Sequence, residues 1–193
     1  MLPNPDEKLD PRVKRTRGLI LQSFSSLLTQ KNFDTITVQD ITSLAEINRA
    51  TFYRHFEDKY GLLDFFIRQQ FIQEVEKRVL NACHYTPDNL RTLILTVCEF
   101  LSQLNTGCTQ PQRQFEPLVE KQIKAQVHEL LTVWFRKLDV RTSTEIPVTV
   151  ATWAIYGLAS YWNSTKQRLP LDSFVDEALP LVSVNLEQFV QST

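Results

Sequence analysis

Glycine is scarce in this chain, four in 193 residues, and none of it forms a glycine-rich phosphate loop. The sequence reads as helical nearly throughout. Cysteine is scarce and odd in number. Cys83, Cys98 and Cys108 have no zinc-ligand spacing, and Cys83 next to His84 is too close for the usual ligand pair. Reduced thiols of a cytosolic protein are expected, with no metal and no cofactor. No nucleophile–base spacing supports an enzyme, and Glu116 and Glu120, one helical turn apart, read as a paired surface face. No apolar run approaches membrane-spanning length, and Met1 to Asp10 is polar and proline-rich, unlike a secretory leader. A soluble, cytoplasmic protein with no membrane partner is therefore expected. An excess of basic charge is also missing: 21 Lys and Arg stand against 22 Asp and Glu, for a net charge of -1 and a pI of about 6.3. That balance counts mildly against nucleic acid as a partner. The distribution counts the other way, because Arg12, Lys14, Arg15 and Arg17 cluster, and Arg49, Arg54 and Lys59 add to a local basic surface.

What is present is concentrated between Thr37 and Lys59, TVQDITSLAEINRATFYRHFEDK. A first helix is expected from about Thr37 to Leu44. Thr37 and Asp40 fit a capping box, a hydroxyl at the cap and a carboxylate three residues on. Val38, Ile41 and Ala45 form its apolar face. Ala45, Glu46 and Ile47 make a turn. Asn48 has the chemistry of an N-cap, and a second helix follows through His55. At 100° per residue Phe52 and Phe56 face the first helix, while Ala50, Tyr53 and Arg54 face away. Helix, short turn and capped helix describe a helix-turn-helix spanning about residues 37–56, a unit whose second helix enters the DNA major groove. Arg49 in the first turn can bond guanine O6 and N7 bidentately. Ala50 lets the backbone approach, Tyr53 offers a ring to thymine methyls, and Thr51, Arg54 and His55 can donate to phosphates. Arg49 after Asn48, and Lys59 after Glu57 and Asp58, are cations in helix first turns. They oppose the helix dipole, as helix starts that face phosphate would. The plain alternative is an amphipathic helix with a solvated polar face.

These residues resemble a known family. Thr37 and Val38, Asp40 and Ile41, Ala45, Thr51 to Tyr53, His55 and Phe56, Lys59, and Leu62 and Leu63 are similar to the DNA-binding domain of TetR/AcrR-type transcriptional regulators. The resemblance covers residues 12–72, and TFYRHFEDKYGLL is its most specific run. It implies base contacts from Arg49, Ala50 and Tyr53, and phosphate contacts from Thr37, Thr51, Arg54, His55 and Lys59, beside the capping Asn48. Three positions depart from the family's habit: Glu46 stands where glycine is usual, Thr42 where alanine is common, and Ala50 where glycine is common. A glutamate kept in the left-handed conformation would cost about 1 kcal/mol.

The rest of the chain reads as amphipathic helices behind a disordered lead of residues 1–11. A helix from about Arg12 to Gln30 buries Leu19 or Ile20, Phe24, Leu27 and Leu28, and Phe33 and Ile36 pin the following connection. A long helix from about Asp58 to Asn81 turns Leu62, Phe65, Phe66, Gln69 and Ile72 inward. Helices follow from about Asp88 to Leu104 and from about Phe115 to Leu138, with Asn105 to Pro111 as loop. Two more close the chain, one from Pro147 to about Ser164 and one to about Val190, capped by Asp172 and kinked at Pro180.

The fold class is all-α, an N-terminal three-helix helix-turn-helix domain over residues 12–72 and a C-terminal helical ligand-binding and dimerisation domain over residues 73–193. The resemblance implies a homodimer on a double-stranded DNA operator, acting as a ligand-responsive repressor. Trp153, Gly157, Tyr161, Leu181 and Phe189 on the last two helices are candidates for the dimer interface. Phe100, Gln103, Trp134, Tyr156 and Trp162 are candidates for holding a small apolar or aromatic effector. For both sets the plain alternative is intramolecular core. The competing functions are a helical small-molecule-binding protein and a protein-interaction dimer without specific DNA binding.

Overall fold

The computed structural model describes residues 10–78, 84–106, 116–136 and 144–190, apart from the side chains at 105–106, 185 and 187–190. Residues 1–9, Cys83 and Cys108 lie outside the described residues. The order is α1 (Pro11–Gln30), a 3-10 turn (Phe33–Thr35), α2 (Val38–Leu44), α3 (Arg49–Tyr53), α4 (Lys59–Arg78), α5 (Pro87–Thr106), α6 (Glu116–Arg136), α7 (Glu145–Ser164) and α8 (Leu171–Val190). The fold is all-α, an N-terminal helix-turn-helix domain followed by a C-terminal helical domain.

Local chemistry sets the helix ends. Asp10 caps α1, its carboxylate accepting from the Arg12 amide at 2.7 Å. Helix α1 therefore begins inside the expected lead, and Pro11 takes a first-turn position, where its missing N–H costs nothing. Leu171 opens α8, which puts Asp172 inside the first turn rather than at the cap. Its carboxylate is held by Arg91, whose Nη2 donates to Asp172 at 3.0 Å while Nε donates to Asp176 at 2.9 Å. Those two bonds tie α5 to α8 and raise the Arg91 pKa. Pro180 lies inside α8 and removes one backbone donor there.

In the N-terminal domain α1 packs on α2 and α2 on α3; beyond it α4 packs on α5 and α6, α5 packs against α7 and α8, α6 against α7, and α7 against α8. Ile20, Phe24 and Leu27 of α1 are buried together with Phe33, Ile36, Ile41 and Phe52. The choice between Leu19 and Ile20 falls to Ile20, since Leu19 is exposed. Phe33 and Ile36 do pin the connection after α1. In the C-terminal part Leu93, Ile94, Val97, Ile123, Val127, Leu131 and Trp134 are buried, as helical spacing requires.

Helix α4 departs from its expected inward side. Its buried residues are Leu62, Leu63, Ile67, Phe71, Ile72 and Val75, while Phe65, Phe66 and Gln69 are half-buried. The helix starts against the helix-turn-helix and ends among α5 and α6, so its buried face rotates along its length and no single stripe describes it. It runs unbroken through residues 72 and 73. At its C-terminal end Arg78 pairs with Glu99 of α5.

Candidate nucleic-acid interface

The interface is built on two capped helices. Thr37 and Asp40 form a full capping box: Thr37 Oγ1 accepts from the Asp40 amide at 3.1 Å, and Asp40 Oδ2 accepts from the Thr37 amide at 2.9 Å. Asp40 Oδ1 also accepts from Lys31 Nζ at 3.1 Å. The Thr37 backbone bond above all, then the Thr37 hydroxyl and Lys31, hold the Asp40 carboxyl down at about 2. Asn48 caps α3, its Oδ1 accepting from the Thr51 amide at 2.8 Å and from the Thr51 hydroxyl at 3.0 Å. Arg54 Nη2 donates in turn to Thr51 Oγ1 at 3.2 Å. Helix α3 is shorter than its sequence suggests. It ends at Tyr53, and Arg54 and His55 sit in the turn that follows.

Between the two helices Glu46 adopts φ 53, and among the described residues it alone has a positive φ without being glycine. The turn thus keeps the left-handed geometry that glycine would hold without strain.

Helix α3 divides cleanly. Phe52 is fully buried and Phe56 nearly so, their rings 5.9 Å apart, while Asn48, Arg49, Ala50, Tyr53 and Arg54 are exposed. Tyr53 meets Phe52 edge-on at 5.5 Å, which braces a ring that is still 55% exposed. Thr37 is exposed at the start of α2, and Thr51 and His55 are half-buried. Sequence reasoning missed Gln39. From α2 its Oε1 accepts from Arg49 Nε at 2.8 Å, while its own Nε2 donates to Ser43 at 2.9 Å. The Arg49 side chain is thereby aimed, and its two terminal nitrogens remain for a ligand. An i-to-i+10 side-chain pair across a turn leaves no periodic signal, so only the folded geometry reveals it.

Lys59 must be reassigned. Its ammonium donates to the carbonyls of Phe33 at 3.1 Å, Asp34 at 3.0 Å and Ile36 at 3.0 Å, and lies 4.6 Å from the centroid of the Phe33 ring. An ammonium has three donors, and all three are engaged. Instead of presenting a phosphate contact, the side chain turns inward and ties the start of α4 to the chain entering α2.

The candidate effector residues sit on α5, α6 and α7. Phe100 packs edge-on against Phe71 at 5.2 Å, and Trp134 is fully buried. Trp162 donates its indole N–H to the Leu169 carbonyl at 3.0 Å and stacks near Phe174. Gln103 is exposed. Tyr156 is mostly buried, and its pKa rises to about 12, chiefly from burial and then from Glu120 and Glu116. None of the five lines the cleft between α1 and α4 or the groove between α6 and α7. Cys98 is a buried free thiol whose pKa is pushed up to about 12, first by burial and then by Glu99, which fits the inert thiol expected. Among the described residues no cluster of metal ligands occurs, and no helix is long and apolar enough to cross a membrane.

In the C-terminal domain α7 presents Ile146, Val150, Trp153, Gly157 and Tyr161 along one exposed face, and α8 exposes Leu181 and Val184. Trp153 is capped on one side by Lys124 Nζ, 3.3 Å from the ring centroid, and Lys124 is itself paired with Glu120 at 2.6 Å. The Phe189 side chain lies outside those described.

Residues 18–64 match the model of the tetR family of bacterial regulatory proteins. The chain is 35% identical over 72 residues to YxbF, an uncharacterized HTH-type transcriptional regulator of Bacillus subtilis (strain 168); the match covers 37% of this chain and 19% of that protein, about a fifth of the relative's length. Its fold is similar to that of a TetR-family regulator from Streptomyces coelicolor A3, at 14% identity, covering 95% of this chain and 98% of that one, with a TM-score of 0.57. It is also similar to the dihydroxyacetone kinase operon activator DhaS, at 20% identity, covering 90% and 97%, with a TM-score of 0.56. Residues 18–64 of this chain thus carry a helix-turn-helix that matches the tetR family of bacterial regulatory proteins, on a fold similar to those of solved TetR-family regulators.

Proposed function

We propose that the protein binds a palindromic double-stranded DNA operator as a homodimer and represses transcription from it, with α3 as the recognition helix. The observation that carries this reading is the division of α3: Phe52 is sealed inside while Arg49 and Ala50 at the capped start, Tyr53 at the end and Arg54 just beyond it are all exposed. Arg49 would read guanine through its terminal nitrogens, Ala50 would admit the backbone, and Tyr53 would meet a thymine methyl or a phosphate. Thr37, Thr51, Arg54 and His55 would position the protein on phosphates. Repression is the simplest consequence of occupying an operator. DhaS carries the word activator in its name, so the fold does not itself fix the sign.

Dimerisation follows from the exposed apolar face of α7 and α8. One helix-turn-helix reads only a few base pairs, and a two-fold dimer places two recognition helices about 34–36 Å apart, one helical turn of DNA. We divide the chain accordingly into a DNA-binding domain of residues 12–72 and a regulatory and dimerisation domain of residues 73–193. A small apolar or aromatic effector of the second domain would act by preferring the conformation in which the recognition helices are wrongly spaced.

The test is Arg49→Ala, assayed by fluorescence anisotropy on a selected operator and on scrambled duplex. Loss of one bidentate guanine contact should weaken operator binding by about 1–3 kcal/mol and narrow the gap between the two duplexes. Unchanged binding to both duplexes would remove Arg49 as the base-reading residue.

A further inference from the structure

Helices α1 and α4 flank an open cleft of about 450 Å³. Its walls are two helical stripes. Leu21, Gln22, Ser25, Ser26 and Thr29 come from α1, and Phe66, Gln69, Gln70 and Gln73 from α4.

Seven of these nine side chains are neutral hydrogen-bonding groups, and none is charged. Gln22, Ser25, Gln70 and Gln73 make no side-chain hydrogen bond to any described residue. Thr29 and Ser26 are partly engaged, since Thr29 Oγ1 donates to the Ser26 carbonyl at 2.8 Å and Ser26 Oγ accepts from Gln30 at 3.1 Å. Phe66 sits in the wall as a half-buried ring, held edge-on against the buried Phe24 at 5.6 Å.

We propose that this cleft is a binding site for a neutral, polyhydroxylated small molecule of the sugar or polyol class. The size lies within the range of about 300–1,000 Å³ usual for small-molecule sites. Amide side chains offer a donor and an acceptor on one group, which matches the paired roles of a sugar hydroxyl. An aromatic ring fixed beside them suits the C–H face of a sugar. The absence of charge in the lining decides against an anion or a cation, which would lose its water shell without a counter-charge in return. A ligand here would bridge α1, which belongs to the helix-turn-helix domain, and α4, which continues into the C-terminal domain. Its occupancy would therefore bias the angle between them and so alter DNA binding. That consequence rests on the DNA-binding reading; the binding itself does not.

The experiment is a titration of the full chain, labelled with 15N at glutamine side-chain amides, without DNA. The probes are glucose, maltose, trehalose and sorbitol, with gluconate and glucose 6-phosphate as charged counterparts. At least one neutral probe should shift the Gln22, Gln70 and Gln73 amide signals saturably, at least tenfold more tightly than the charged compounds. Gln70→Ala and Gln22→Ala should each weaken that binding at least tenfold with an unchanged melting temperature, since both side chains lie at the surface of the cleft. Absence of a saturable shift with every neutral probe at tens of millimolar would overturn the proposal. So would shifts that survive both substitutions, or charged probes that bind as well. A failure here leaves operator binding untouched, and a failure of operator binding leaves these signals readable.

Discussion

Single residues show where physical reading of the sequence succeeds and where it stops. Asn48 and the pair of Thr37 and Asp40 were legible as caps because their partners lie three residues away, within the reach of a pattern. Glu46 was legible as a problem, a non-glycine residue in a turn that needs left-handed backbone, and its φ of 53 keeps that strain. Glu46→Gly should therefore stabilise the fold by about 1 kcal/mol, read as a shift of the urea midpoint at constant slope. An unchanged or lower midpoint would mean that the surroundings have relieved the strain. Lys59 was misread because its partners are 23 to 26 residues away and are carbonyls, which carry no sequence identity. Lys59→Met should destabilise the domain by about 2 kcal/mol, because three carbonyls lose a charged donor. On folded protein it should leave the salt dependence of DNA binding unchanged, whereas Arg54→Ala should reduce the log–log salt slope by about 1. A reduced slope for Lys59→Met would return Lys59 to the phosphate-binding set.

At the scale of elements, the amphipathic helices were readable wherever one face stays buried against constant neighbours. The α6 positions Val119, Ile123, Val127, Leu130, Leu131, Trp134 and Phe135 are all buried, as their spacing requires. Helix α4 defeated the same reasoning because it changes neighbours along its length, and α3 proved two residues shorter because Arg54 and His55 leave the helix. The effector candidates were chosen as aromatic and polar residues, a property that core and pocket share, and Trp134 is fully buried in the core. Helix α7 carries a sharper test. A Cβ built at Gly157 meets nothing within 4 Å in the protomer, so the position is free of intramolecular constraint. Gly157→Glu should fold with unchanged helicity and shift the protein from dimer to monomer in analytical ultracentrifugation. A dimer that persists at the same affinity would place the interface elsewhere than on this face of α7.

For the whole molecule, a near-neutral chain can still act on DNA because its basic groups are placed rather than abundant. Arg49 and Arg54 flank an exposed α3, and Arg12, Lys14 and Arg15 lie exposed at the start of α1, while Asp34, Glu46, Glu57 and Asp58 are exposed acidic residues of the same region. Helix α4 joins that basic end to the helices whose exposed apolar face would meet a second copy. The all-helical class and the helix-turn-helix were both readable from the sequence. The paths between the two ends were not, because they depend on which helix faces pair. The most direct test is selection of bound duplexes from a random-sequence library by the full-length protein at near-physiological salt. A two-fold dimer reading DNA through α3 predicts enrichment of an inverted repeat whose half-site centres are about 10–10.5 base pairs apart, or a multiple of that. Recovery of sequences with no shared motif, or of a single unrepeated half-site, would contradict it.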